Sequence, residues 1–329
     1  MRRHGNIFAF IIMQIPLQLI STIEQASARA PSPAVNCLVQ EILVRYGSDV
    51  QAILFYGSCL HKGEDLDGLF DLYVLVDTYD SVNQNSMLAT LNKLLPPNVF
   101  YLEVPFEKQT VRAKYAILSM TDLQQGTSRR WFHSYLWARF CQPTTVVYVR
   151  NEEVTKLVNT AFAQAVITFI TRVLPRMPPH FTIRELWQKG LELTYRAEFR
   201  PERPDQQVRL FDAASDYFED ITRKTFEALP FQAAAINRKE IALYSANIPK
   251  PKRLIAGLTW AIRILQGKIL SVLRLVKGTL TFDGGVDYIL WKIKRHSGVT
   301  MEASPFLRRH PVLAMLVLSW RLYRLGGIR

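Results

Sequence analysis

The sequence predicts an α+β fold in which a mixed sheet with helices precedes a mostly helical part. Residues 53–60 and 70–77 are short apolar runs rich in aromatic and β-branched side chains, which predict two neighbouring buried strands. From residue 154 onward, apolar residues recur at helical spacing instead. The 329 residues are enough to bury a sizeable core. The predicted parts are a signal-like or membrane-associated segment 1–33, a sheet domain 34–153, a helical domain 154–249 and a basic amphipathic region 250–329.

The first segment has the features of a secretory signal. A charged start at residues 1–4 precedes an apolar centre at 7–20 and a stretch of small residues at 26–30. Three interpretations stay open for it: an upstream mis-called start, an N-terminal helix lying on a membrane, or true export.

Strands and helices alternate through the sheet domain. An amphipathic helix at 34–46 precedes the two strands, and the run 81–95, closed by Pro96-Pro97, predicts a crossover helix. The segment from Leu123 to Arg139 is also predicted to be helical. Further strands are predicted at 99–104, at 111–119 and, on an edge, at 146–149.

The second half is predicted to be helical, with a break before the basic region. The helices are predicted at 159–174, 181–196 and 212–228. Residues 248–253, rich in Pro and Lys, read as a linker. Beyond it, 254–275 predicts an amphipathic basic helix, because Arg263, Gln266, Arg274 and Lys277 are spaced to share one face.

The basic surplus belongs to the C-terminal region. The chain has a formal net charge of +13, and residues 250–329 hold 15 Lys and Arg against 3 Asp and Glu. No uncharged apolar run reaches the roughly 20 residues that span a bilayer. We therefore expect a peripheral protein on the cytoplasmic face of a membrane. The residues expected to contact anionic lipid are Arg263, Arg274, Lys277, Arg308 and Arg309.

One turn and one carboxylate carry the predicted chemistry. Gly57-Ser58 follows the first strand, and Asp71 begins the second. Glycine lets backbone N–H groups approach a phosphate, serine adds a donor, and Mg²⁺ prefers carboxylate and phosphate oxygens. This order is typical of a nucleotidyltransferase site, although Gly-Ser pairs and strand-terminal aspartates occur in most α/β proteins. Export would separate such a site from its cytosolic nucleoside triphosphate.

Further motifs, in order along residues 50–295, resemble those of a known family. They are Tyr56-Gly57-Ser58, Asp71 with Val76-Asp77, Lys114-Tyr115-Ala116-Ile117, Tyr135-Leu136-Trp137-Ala138-Arg139 before Pro143, Thr194 to Arg200, and Lys277-Gly278. The pattern is similar to that of the mitochondrial-type, translocator-maintenance CTP:phosphatidate cytidylyltransferases. The chain departs from it where Ala116, Ala138 and Ala197-Glu198 stand in place of Gly, Gly and Gly-Asp. It resembles a diverged bacterial member.

The resemblance implies a polymerase β-like nucleotidyltransferase fold and a reaction. CTP and phosphatidic acid would give CDP-diacylglycerol and pyrophosphate with Mg²⁺, in the biosynthesis of phospholipids such as cardiolipin and phosphatidylglycerol. Asp71 would bind Mg²⁺, and Lys114 would counter charge that develops on the α-phosphate. The implied nucleotide contacts are Gly57, Ser58, Lys114, Tyr115, Tyr195 and Arg200.

The second acid of polymerase-like sites is absent from its usual place. Those sites carry it two positions after the first, where this chain has Tyr73. Asp77 lies six residues beyond Asp71, roughly 20 Å along a strand, too far to bind the same ion. A phosphomonoester nucleophile needs no such base, because its second pKa of about 6 leaves it substantially dianionic at neutral pH. Glu198 is our candidate second metal ligand, with a helix-surface glutamate as the alternative.

Two other functions fit the same residues. One is nucleotidyl transfer to RNA or to a soluble phosphate, and the other is a catalytically silent membrane-binding scaffold. The long aliphatic runs of 254–275 argue against nucleic acid, because nucleic-acid grooves interleave cations with stacking aromatic rings. We therefore expect no nucleic-acid partner. The sequence specifies neither the acyl-chain preference nor the oligomeric state.

Overall fold

The computed structural model describes most of the chain between Ile15 and Arg321. The described residues are 15–57, 68–82, 86–198, 206–226, 229, 233–238, 241–281, 285–297, 300–309, 313–314, 317–318 and 320–321. Two predicted nucleotide contacts, Ser58 and Arg200, lie outside the described residues, as does the side chain of Arg309.

A mixed five-stranded sheet forms the first half, and the predicted α+β class is confirmed. Its strands are β1 (Val50–Tyr56), β2 (Leu69–Val76), β3 (Asn98–Phe106), β4 (Gln109–Ser119) and β5 (Thr145–Val149). Their order is β3-β4-β2-β1-β5, and all neighbours are antiparallel except β2 and β4, which are parallel. The predicted pairing of the first two strands, and the edge position of the last, are both confirmed.

Helices lie on both faces of this sheet and form most of the second half. In chain order they are α1 (Leu17–Ser27), α2 (Pro33–Tyr46), α3 (Tyr79–Val82), α4 (Ser86–Leu94), α5 (Met120–Thr127), α6 (Trp137–Phe140), α7 (Glu152–Val173), α8 (Ile183–Tyr195), α9 (Gln206–Asp212), α10 (Ser215–Phe226), α11 (Lys250–Thr281), α12 (Gly285–Ser297) and α13 (Pro305–Arg309).

Two apolar layers sandwich the sheet. On one face α2, capped by the Ser32 side chain, packs Val35 and Leu38 against strand residues such as Phe70. The other face packs against α7, which is apolar around most of its circumference because α1, α8 and α10 also contact it. Gly190 lets α8 approach closely, since a Cβ there would lie 2.2 Å from the Phe169 ring.

The described part of the N-terminal segment forms a helix in the core. Leu19 and Ile23 of α1 are at most 1% exposed in the core beside α7. The Ser27 hydroxyl donates to Asn159 Oδ1 at 3.1 Å. Residues 17–27 are therefore a helix that packs in the core.

Two elements differ from the sequence prediction. The helix predicted from Leu123 to Arg139 ends at Thr127, because Arg172 of α7 binds the main-chain carbonyls of Arg129, Trp131 and Phe132 and so holds that segment as a loop. A small antiparallel sheet, β6 (His180–Phe181), β7 (Ala233–Arg238) and β8 (Ile241–Ala246), interrupts the predicted helical domain in the order β6-β8-β7.

Candidate active site

Asp71 and Lys114 lie side by side on the parallel strands β2 and β4. Asp71 is the register partner of Lys114, and Tyr73 is that of Ala116. Register partners point to the same face of a sheet, with neighbouring strands about 4.8 Å apart. Tyr73 and Ala116 both belong to the core layer that contains α7. The predicted carboxylate and cation therefore share the face that α7 covers.

Gly57 brings the end of β1 against this carboxylate. Tyr56 pairs with Asp71 in the register of β1 and β2, and Gly57 follows with a φ of 90°. Glycine adopts that conformation without strain. A Cβ at Gly57 would lie 2.9 Å from Asp71 Oδ2. The main chain of the predicted phosphate-binding turn thus directly faces the predicted metal ligand.

Two cations keep the partly buried Asp71 from being an isolated buried acid. Burial raises the pKa of the Asp71 carboxyl above its usual value, and the charges of Lys114 and Arg139 oppose that rise. A nearby cation favours the ionised form of a carboxylate. Asp71 therefore lies within reach of two positive charges that favour its ionised form.

Arg139 lies between the two predicted metal ligands. Its neighbours on α6, Trp137 and Phe140, are fully buried and fix the short helix. Arg139 Nη2 lies 3.7 Å from Glu198 Oε2, and the same guanidinium acts on Asp71. The side chain of Glu198 is only 12% exposed. Glu198 is therefore not a solvated helix-surface residue, and it faces the same cluster as Asp71.

A close contact with α11 fixes the chain next to Glu198. A Cβ at Gly267 of α11 would lie 2.4 Å from the main-chain oxygen of Ala197. Ala197 itself is 1% exposed. At this position the resemblance gives glycine, and the facing helix supplies the missing room through its own glycine.

Tyrosine rings line the inner wall of the cluster. The Arg139 guanidinium stands over the rings of Tyr56 and Tyr135, at 5.1 and 5.3 Å from their centroids. Tyr73, which occupies the usual place of a second acid, is fully buried, and its hydroxyl donates to Tyr135 Oη at 3.4 Å. Burial raises the pKa of Tyr73. Tyr73 is thus a neutral packing group and no substitute for a metal-binding carboxylate.

A residue of the C-terminal region also reaches this cluster. Tyr288 of α12 packs against Tyr101 of β3, with ring centroids 5.6 Å apart. Burial, and then the charge of Asp71, raise the pKa of the Tyr288 hydroxyl. α12 therefore packs on β3, close enough to Asp71 for its charge to act on Tyr288.

Tyr115 does not join the site. It follows Lys114 on β4 and so points to the opposite face of the sheet. There it is 2% exposed, its ring stacks on Phe100, and its hydroxyl is 2.9 Å from that of Tyr46. Tyr115, which was predicted to contact the nucleotide, therefore lies on the face opposite Asp71 and Lys114, in the core layer that contains α2. Tyr195, also predicted to do so, packs partly buried at the end of α8.

The predicted lipid-binding cations of α11 point into the protein. Arg263, 3% exposed, donates to Phe132 O at 2.8 Å; Arg274 donates to Pro96 O at 3.1 Å, and Lys277 to Pro97 O at 2.8 Å. Burial, and then Arg274, lower the pKa of Lys277 to about 7. The three residues predicted to contact anionic lipid thus donate to main-chain carbonyls on the inner side of α11. Arg308 is exposed and pairs with Asp287.

The outer side of α11 is apolar instead. The exposed residues are Leu254, Ile255, Leu258, Ile262, Leu265, Ile269, Val272, Leu273 and Val276. Their spacing of three and four residues places them in one stripe; we call it the outer stripe. By length and composition alone, two helical stretches could cross a bilayer: 152–176, which is mostly buried in the protein, and 250–278, which is mostly not. The amphipathic character predicted for α11 is present, with its polar face inward.

The sequence interpretation missed the part that α11 and α12 play here. Arg139 had two open interpretations, a phosphate ligand or the partner of an acid. Nothing in the sequence placed Tyr288 or Arg274 near Asp71, since they lie about 200 residues away. The spacing of the α11 cations did indicate a shared face, but their partners are tertiary.

Comparison with known proteins adds no relative. No protein-family model matches the chain, and no curated protein matches it. The functional argument therefore rests on the geometry above and on the motif resemblance.

Proposed function

We propose that this protein is a Mg²⁺-dependent nucleotidyltransferase that transfers CMP from CTP to phosphatidic acid. The observation that carries the proposal is the convergence of Gly57, Asp71 and Lys114 on one sheet face. A glycine turn, a carboxylate and a lysine are what a triphosphate site requires. The choice of CTP and phosphatidate within this class rests on the motif resemblance.

The donor set fits Mg²⁺. The described residues contain no cluster of three or more His, Cys, Asp or Glu. Magnesium sites that act on nucleotides need only one or two carboxylates, because substrate phosphates and waters complete the shell. Asp71 would hold the ion, with Glu198 as the second carboxylate. Bound there, the ion would neutralise charge on the triphosphate.

The chain's own residues would then orient the reactants and stabilise charge. The turn at Gly57 offers its main chain to the triphosphate, and Lys114 counters the charge that builds up at the α-phosphate. A dianionic phosphate acceptor attacks the α-phosphorus, a new P–O–P bond forms, and pyrophosphate leaves. No carboxylate has to remove a proton from such an acceptor, which agrees with Tyr73 in place of a second strand acid.

Membrane association of this enzyme is proposed to be peripheral and apolar. The outer stripe of α11 covers about six turns of helix with aliphatic side chains, while Arg263, Arg274 and Lys277 of the same helix are turned inward. A stripe of this kind is suited to lie at the boundary of headgroups and acyl chains. It would bring the site to a lipid substrate without a spanning segment.

The experiment is a pyrophosphate-release assay with each of the four common nucleoside triphosphates and phosphatidate vesicles. We expect release with CTP and Mg²⁺, together with a CDP-lipid product. Release with glycerol 3-phosphate and not with phosphatidate would indicate a soluble acceptor instead. If no nucleoside triphosphate gives pyrophosphate with either acceptor, the result would support a catalytically silent membrane-binding scaffold.

A further inference from the structure

Two arginines from different parts of the chain meet at one tyrosine ring. The Arg139 guanidinium lies 5.3 Å from the centroid of Tyr135, and the Arg274 guanidinium lies 4.1 Å from it. Arg139 comes from α6, next to the catalytic face of the sheet, and Arg274 comes from the inner face of α11. We propose that Arg139 and Arg274 together form the binding site for the phosphate of the acceptor lipid. This inference rests on the proposed function.

Among the described residues, the Arg139 guanidinium keeps an unused donor. Arginine has five N–H donors. The buried Nε of Arg139 has no hydrogen-bond partner, and its Nη2 lies 3.7 Å from Glu198, beyond ordinary hydrogen-bond distance. Arg274 uses its Nε to donate to Pro96 O at 3.1 Å. An unsatisfied buried donor such as Arg139 Nε is costly and rare, so a ligand that accepts from it would complete the site.

The charge balance of this site favours a dianion. Both guanidinium groups stand at the Tyr135 ring, so two positive charges are held in one partly buried region. Glu198 is the acid that acts on both arginines. Asp71 also lies within reach of Arg139 and of Lys114. Two carboxylates, Asp71 and Glu198, against the three cations Arg139, Arg274 and Lys114 leave a positive excess. A phosphomonoester with a charge of about −1.5 to −2 near neutral pH compensates it, and guanidinium groups bind phosphate oxygens in a bidentate manner.

The position on α11 identifies the source of the phosphate as a lipid. Val272, Leu273 and Val276, which flank Arg274 along the helix, are 46, 48 and 55% exposed on the outer stripe. A bilayer that covers these side chains places its headgroups at the level of the same helical turn. The phosphate of a lipid in that bilayer is then next to the inward side of α11. A soluble phosphomonoester would gain nothing from the stripe.

Calorimetric binding tests this inference without relying on turnover. The probes are dioctanoyl phosphatidate, glycerol 3-phosphate and dioctanoylglycerol, titrated into the full chain without CTP. We expect binding of dioctanoyl phosphatidate only. The Arg274→Gln variant should bind dioctanoyl phosphatidate at least tenfold more weakly than the wild type. Arg274→Lys keeps the charge but loses the planar, bidentate guanidinium, and its affinity should lie between those of the wild type and Arg274→Gln. Lys268→Gln, an exposed cation of the same helix, is the matched control and should bind like the wild type.

Kinetics give the second readout. Arg274→Gln should raise the KM for dioctanoyl phosphatidate at least tenfold and leave the KM for CTP within twofold. Equal phosphatidate binding by wild type and Arg274→Gln, or equally tight binding of glycerol 3-phosphate, would overturn the inference. Because binding is measured without CTP, a wild-type protein that binds phosphatidate through Arg274 but turns over no CTP would refute the proposed function and leave this site standing.

Discussion

Gly57 and Asp71 are in such close contact that no side chain fits between them: a Cβ at Gly57 would lie 2.9 Å from Asp71 Oδ2. Gly57 also has a φ of 90°, which L-residues rarely adopt. The turn and the acid are therefore one structural unit, and a change in the first displaces the second.

Gly57→Ala should remove activity by more than its effect on stability explains. We expect a loss of about 1–2 kcal/mol of stability from the positive φ, and at least a hundredfold loss of kcat because the Asp71 carboxylate is pushed aside. The matched control is Gly47→Ala, which has a φ of 55° but nothing within 4 Å of the added Cβ. Urea unfolding and the pyrophosphate assay measure the two effects. A Gly57→Ala enzyme as active as Gly47→Ala would contradict the contact.

Apolar contact, and not ion pairing, should govern binding to membranes. Leu258 and Leu265 are 66 and 63% exposed on the outer stripe. The double substitution Leu258→Gln with Leu265→Gln should weaken vesicle binding at least tenfold, because burying one leucine side chain contributes about 1.5–3 kcal/mol. Wild-type flotation should persist in about 0.5 M salt, where the Debye length is only about 4 Å and exposed ion pairs are largely screened. The prediction would be contradicted if salt removed vesicle binding by the wild type while the double substitution of Leu258 and Leu265 left vesicle binding unchanged.

His133 should make the protein acid-sensitive. Burial, and then the charges of Arg274 and Arg263, lower the pKa of His133 to about 3, and its Nδ1 accepts a hydrogen bond from the Tyr135 N–H. An unfolded histidine has a pKa of about 6.5, so between pH 6.5 and 3 the unfolded state binds more protons and stability falls as the pH falls. From pH 7.5 to 5 we expect a loss of about 1–2 kcal/mol that His133→Gln does not show. Urea unfolding at pH 7.5 and 5 measures this loss of stability. An equal loss in the wild type and in His133→Gln would refute the assignment of the acid sensitivity to His133.

Glu198 should affect the metal requirement more than the fold. In Glu198→Gln the second carboxylate is neutral but its shape is kept, so we expect a several-fold higher Mg²⁺ concentration for half-maximal activity. Glu192→Gln is the control, since Glu192 is an exposed residue of α8 that pairs with Lys189. An unchanged Mg²⁺ titration in Glu198→Gln would assign Glu198 to pairing with Arg139 alone.

Local patterns were enough to find the sheet face that carries Asp71 and Lys114. The strand runs around Phe55 and Val74 are continuous and apolar because both faces of the sheet are covered. Asp71 stands out near the start of β2 because the rest of that strand carries no charged residue. The alternation of β4 also separates Lys114 from Tyr115, and applying it to the sequence would have removed Tyr115 from the predicted nucleotide contacts.

The orientation of α11 was beyond the reach of the sequence. Helical spacing defines two faces but does not say which one meets the protein. The basic surplus favoured an outward cationic face, whereas in the structure main-chain carbonyls and the rings of Phe132, Trp137 and Trp260 surround Arg263. Such partners can replace the water around a guanidinium. They are tertiary, so the pattern of one helix cannot reveal them.

The central claim is that Asp71 is the metal-binding acid of a CTP:phosphatidate cytidylyltransferase. The most direct measurement compares CDP-lipid formation by wild type, Asp71→Asn and Asp77→Asn with CTP, Mg²⁺ and phosphatidate vesicles. Asp77 ends the same strand but is exposed and lies 3.6 Å from Arg150. The account predicts product from the wild type and from Asp77→Asn, and at least a thousandfold loss in a folded Asp71→Asn. Undiminished product from Asp71→Asn would contradict it.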